Sequence, residues 1–120
     1  KTNLRVPVNT NFEQLEERCK ETLPDLNFYF EQANPKLYIS KDNHLVQTLT
    51  KIFNETTGLN AKPLAIGGGT YARAFDNCIS YGMSMPHEEE LSHQVDENID
   101  IDNLLIATEI YAKAIIELAK

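Results

Sequence analysis

Cations, cysteines and long apolar runs are scarce in this sequence, and each shortage removes a class of function. Eleven Lys and Arg stand against eighteen Asp and Glu, a net charge of −7. That balance repels a phosphate backbone, and no basic cluster offsets it, so nucleic acid is not an expected partner. No apolar stretch approaches the roughly 18 residues that a membrane span requires. The two cysteines, Cys19 and Cys78, lie far apart without CxxC spacing. They read as reduced, buried thiols of a cytoplasmic protein rather than as a disulfide or zinc framework. There is no GK[ST] for a P-loop, no internal repeat and no low-complexity tract.

What is present fits a soluble globular chain. At 120 residues, 42% hydrophobic and 24% charged, it has material for one domain at most. It begins at Lys1 without a charged-then-apolar leader, which is expected of a piece cut from a longer protein.

The pattern predicts mixed α and β structure. Leu4, Val6 and Val8 alternate with Arg5 and Pro7, as in a short edge strand. Thr10 and Glu13 match a capping box, followed by apolar positions at Phe12, Leu15, Cys19 and Leu23 and a stop at Pro24. "NFYFEQ" predicts a second strand. A helix beginning at Ser40 or Asp42 carries a stripe of Leu45, Val46, Leu49, Ile52 and Phe53 and ends at Gly58. "KPLAI" and "CISYGM" read as further strands. The last helix is capped by Asp100. Its narrow polar stripe of Glu109, Lys113 and Glu117 leaves most of its surface apolar, so cover is expected on two sides.

Three places carry candidate chemistry. "MPHEEELSHQVDEN" holds two of the three histidines, His87 and His93, among five acidic residues. Six residues turn a helix through about 600°, so the two imidazoles would not share a helix face. Leu91 stands where an HExxH zinc helix needs its second His. A closed metal site takes three or four ligands; Glu88, Glu89, Glu90, Asp96 and Glu97 are at hand, but such loops are more often simply solvated. The second place is "AIGGGTYARAF", where three glycines follow an apolar run. Their N–H groups can form an anion nest, or they can serve a tight structural turn. G-x-G-x-x-A also fits there, but the chain before the next strand is too short for a crossover helix. The third is Arg5, opposite the apolar face of its strand, which taken alone is a surface arginine. His44 reads as a first-turn surface residue.

Taken in order, "NLRVPV", "IGGGTYARAF" and "YGMSMPHEEELSHQVDENIDIDNLLIATEIYAKAIIELA" resemble the C-terminal part of the aminoacylase/carboxypeptidase-like metallopeptidases, nearest to the bacterial Xaa-His (carnosine-type) dipeptidases. The resemblance runs over essentially the whole chain. It implies an α/β fragment: residues 1–38 closing a ferredoxin-like lid domain, and residues 39–120 forming the C-terminal part of a zinc-peptidase-type catalytic domain. It also implies two divalent metal ions in the full protein, zinc or in some members manganese, with His93 ligating one of them. Arg5 would clasp the substrate's C-terminal carboxylate, with Gly68, Gly69 and Thr70 beside it. Where the family usually has Pro-Gly, this sequence has Pro86-His87, so His87 either reshapes the loop or reaches towards substrate.

The activity implied is hydrolysis of a dipeptide by a metal-activated water, with the general-base Glu and the remaining ligands upstream of this chain. The chain alone would then be inactive, its partners being the dipeptide and the remainder of its own polypeptide, and isolated copies would self-associate. The alternative is a non-enzymatic α/β module that binds a small anion or a protein partner. The terminal helix, apolar nearly all round, favours the fragment.

Overall fold

The computed structural model describes residues 4–29, 31, 37–82 and 84–120. Three α-helices form within them: α1 (Phe12–Thr22), α2 (His44–Thr57) and α3 (Ile101–Leu118), with a 3-10 turn at Tyr71–Ala74 between α2 and α3. The core is the contact of α2 with α3. Val46, Leu49, Ile52 and Phe53 make the buried stripe of α2, at the spacing that keeps side chains on one helix face. Ala107, Ile110 and Ala114 do the same on α3. Met85, from the chain between them, seals the cluster of Leu49, Ile52, Phe53, Ile110 and Ala114.

The helix caps differ from expectation at two places. Thr10 donates its backbone N–H to Pro7 O at 3.1 Å and so closes a turn. The cap of α1 passes to Asn11, whose Oδ1 accepts from Glu13 N and Gln14 N. Ser40 likewise accepts from Asn43 N through its backbone carbonyl and from Asp42 N through Oγ. Asn43 therefore caps α2, its Oδ1 accepting from Leu45 N at 2.8 Å. The other helix ends are as expected. Gly58 closes α2 at φ 72°, a left-handed conformation that costs glycine nothing in sterics. Asp100 caps α3 through Asp102 N and Asn103 N.

The chain between α2 and α3 is tied to both ends of α2. Asn54 exchanges two hydrogen bonds with the Ala61 backbone, at 2.8 and 3.1 Å. Asn43 donates Nδ2 to Asn77 Oδ1 at 2.9 Å. The glycine run and the 3-10 turn hang between these anchors. Further on, Tyr81 donates its hydroxyl to Leu49 O at 2.9 Å, and Tyr111 donates to Tyr81 O at 2.7 Å. Their rings meet edge to face with centroids 5.8 Å apart. Burial pushes the Tyr81 phenol up to about 12, with help from Tyr111.

No strand ladder forms among the described residues. A ladder needs a hydrogen-bonded neighbour strand, and the runs around Val6, Leu64 and Ile79 have none here. Of the expected strand over 27–32, Phe30 and Gln32 lie outside the described residues, as does Met83 of "CISYGM". Cys19 and Cys78 are free thiols, half-buried rather than buried.

Much apolar surface stays bare. The chain exposes 10306 Å2, where a compact protein of its mass exposes about 6,600 Å2. Its radius of gyration is 18.8 Å, against about 14 Å for a compact domain of this length. Helix α1 buries no residue and packs on no other helix among the described residues. On α3, Ile101, Leu105, Ile115 and Ile116 are all more than 60% exposed.

Candidate functional site

Two of the three segments singled out in the sequence come together. Arg5 donates Nη1 to Gly67 O at 2.8 Å across 62 residues of chain. The guanidinium therefore sits at Gly67, the head of the run that continues through Gly68 and Gly69 to Thr70. An arginine that spends one N–H on a carbonyl keeps four more, enough for a bidentate carboxylate contact. The Arg73 guanidinium lies against the Gly69 backbone: a Cβ there would stand 1.3 Å from Nη2, so the end of the arginine would have to move aside. Arg73 is held by Nε donating to Thr70 O at 3.1 Å. An open depression of about 400 Å3 adjoins, lined by Gly69, Thr70, Tyr71, Arg73 and Ala74. Sequence reading passed over Arg73; the signal was its place four residues after Gly69 in a short turn that returns the side chain onto the run.

The acidic loop is built from two turns. In the first, Glu88 N donates to Met85 O at 3.0 Å, with Pro86 and exposed His87 at its tip. Glu88 is not simply solvated. Its Oε2 accepts from Met85 N at 2.8 Å and its Oε1 from Asn103 Nδ2 at 2.6 Å, which pins the loop to α3. The reach of Glu back to the N–H three residues earlier is half of a capping box, and Met85-Pro86 with Glu88 carried that signal. His87 does not take a positive φ, so the change from the family's glycine brings no left-handed strain.

In the second turn Gln94 N donates to Leu91 O at 3.0 Å, and His93 stands at its third position with φ 64°. That position favours Gly or Asn, and a side chain there is strained. His93 N donates to Glu97 Oε2 at 3.3 Å. The Ser92 hydroxyl and backbone N–H hold the Glu90 carboxyl below its usual range, with a smaller contribution from His93. The imidazole itself is exposed and has no hydrogen-bond partner among the described residues. An imidazole is by its chemistry able to serve as one ligand of a metal centre. No three His, Cys, Asp or Glu side chains converge among the described residues, so the rest of such a centre would have to come from elsewhere. No hydrogen bond or ion pair among the described residues links His93 to Arg5 or the glycine run. His44 is the exposed first residue of α2, as expected.

Comparison with known proteins agrees with the resemblance carried by these segments. The family described as peptidase family M20/M25/M40 matches residues 14–117. The chain is 36% identical over 118 residues to a Bacillus subtilis (strain 168) protein named "Putative dipeptidase YtjP", covering 98% of this chain and 25% of that protein. A Staphylococcus epidermidis protein named "Putative dipeptidase" is 36% identical over 115 residues, 94% of this chain and 24% of its own length. The chain therefore belongs to peptidase family M20/M25/M40. It spans about a quarter of the length of the curated relatives it matches. No solved structure matches it. No helix among the described residues is long and apolar enough to cross a membrane.

Proposed function

We propose that this chain is the C-terminal part of a metal-dependent dipeptidase, to which it contributes one metal ligand and the grip on the substrate's C-terminal carboxylate. The observation that carries this reading is the family match over residues 14–117, joined to relatives whose names say dipeptidase. In this reading residues 1–38 close a ferredoxin-like lid and residues 39–120 complete an α/β catalytic domain. The separation of α1 from the α2–α3 pair and the bare flanks of α3 support the division. The remainder of the polypeptide would cover those flanks and supply the general-base Glu. Free Cys19 and Cys78 suit a cytoplasmic enzyme.

Each residue then has a task. Arg5 holds the terminal carboxylate with its free N–H groups, oriented by the bond to Gly67 O. Gly68 and Gly69 let that carboxylate approach the backbone, and Thr70 borders it. His93 offers its imidazole to one of two divalent ions, zinc or manganese, from the left-handed third position of its turn. Bound metal of this kind supplies Lewis-acid activation of water and of the scissile carbonyl. The test is turnover of neutral dipeptides by the whole protein after chelation and metal return, read as released amino acid. Activity that vanishes and returns supports the reading; no turnover with any divalent ion, or turnover indifferent to chelation, overturns it.

A further inference from the structure

The depression beside the glycine run holds the Arg73 guanidinium, which has no task so far, and the Thr70 hydroxyl. Arg73 is attached twice to one oxygen: its backbone N–H and its Nε both donate to Thr70 O, at 3.4 and 3.1 Å. This fixes the root of the guanidinium and leaves both Nη groups unbonded among the described residues. They lie over Gly69, where a Cβ would come within 1.3 Å of Nη2 and 2.4 Å of Cζ. Thr70 Oγ1 is buried and has no hydrogen-bond partner among the described residues, a position that polar groups rarely keep.

Two guanidinium groups therefore attend one short run, Arg5 at Gly67 and Arg73 at Gly69. Their contact points are separated by two residues, at most about 7 Å of chain. One terminal carboxylate engages one of them. A second carboxylate joined to the first through a few carbon atoms would engage the other, and such a pair is carried by a C-terminal aspartate or glutamate. Guanidinium N–H groups held in place before the ligand arrives bind it without a large ordering cost.

We propose that Arg73, beside the Thr70 hydroxyl, binds the side-chain carboxylate of an acidic C-terminal residue, so that the enzyme prefers Xaa-Asp and Xaa-Glu dipeptides to their side-chain amides. The inference rests on the dipeptidase reading, with Arg5 on the terminal carboxylate. The test is the ratio of kcat/KM for Ala-Glu to that for Ala-Gln in the whole protein. The two substrates differ only in the second carboxylate. The ratio should be about tenfold or more in the unaltered protein, the value of one charged hydrogen bond. It should fall towards one in Arg73→Gln. Gly69→Ala keeps the arginine but places a methyl group where the guanidinium lies, and it should lower the ratio likewise. An unaltered ratio near one, or a ratio indifferent to both substitutions, overturns the proposal; equal losses on both substrates in Arg73→Gln would instead put Arg73 on the terminal carboxylate. If neither dipeptide is cleaved, the dipeptidase reading has failed and this inference with it, whereas cleavage of Ala-Gln without preference leaves that reading standing.

Discussion

Arg5 shows why a single side chain needs its structural neighbours before a role can be read. In the sequence it is one arginine on the outer side of an apolar alternation. Its bond to Gly67 O joins it to a glycine run 62 residues away, a pairing that no local pattern encodes. Glu88 is the converse case: among five acidic residues it looked solvated, yet its carboxylate joins Met85 N to Asn103. If Arg5 clasps the substrate carboxylate, Arg5→Lys keeps the charge but loses the planar fork. Dipeptide turnover by the whole protein should fall by about 1.5–3 kcal/mol of transition-state binding, the worth of a charged hydrogen bond. Dipeptide amides, which lack the carboxylate, should lose little further in the variant. A steady-state comparison of the two substrate sets checks this, and equal losses would remove Arg5 from the carboxylate.

At the scale of elements, what was legible depended on whether the determinants were local. The stripe of α2, its Gly58 terminus and the Asp100 cap of α3 are set by spacing and by one or two side chains, and they are as expected. The N-caps at Asn11 and Asn43 were missed because turns at Pro7–Thr10 and Ser40–Asn43 engage the residues that the cap pattern favoured. The polar stripe of α3 is only partly the expected ladder: Lys113 pairs with Glu109 at 2.6 Å, but Glu117 turns to Lys120. Strands depend on partners far along the chain, and periodicity alone does not provide them.

The Tyr81 hydroxyl, bridging to Leu49 O, gives the α2–α3 unit a pH dependence. An unfolded tyrosine titrates near 10, while burial holds this phenol up to about 12. Between those values the folded form keeps a proton that the unfolded form has lost. The stabilisation is therefore complete below about pH 10 and disappears as pH rises through 12. Urea unfolding followed by helical circular dichroism should show a loss of stability from about pH 10 to 12 that is smaller in Tyr81→Phe. Parallel pH curves for the two proteins would contradict it.

For the whole molecule, the proposed function reads the bare flanks of α3, the unpacked α1 and the exposed His93 imidazole together, as contacts that the rest of the polypeptide completes. The isolated 120 residues should hydrolyse no dipeptide with any added metal. Copies should also associate through the exposed apolar surface, because patches beyond a few hundred Å2 seldom stay uncovered. Sedimentation at several concentrations checks the second point, and a stable monomer throughout would contradict it. The central claim is that this chain completes a metal centre begun elsewhere, through His93. Its most direct test is the metal content of the purified whole protein, compared among the unaltered form, His93→Ala and His87→Ala. The account predicts that His93→Ala loses metal while His87→Ala retains the full complement. Full metal content in His93→Ala, or equal loss in both variants, would contradict it.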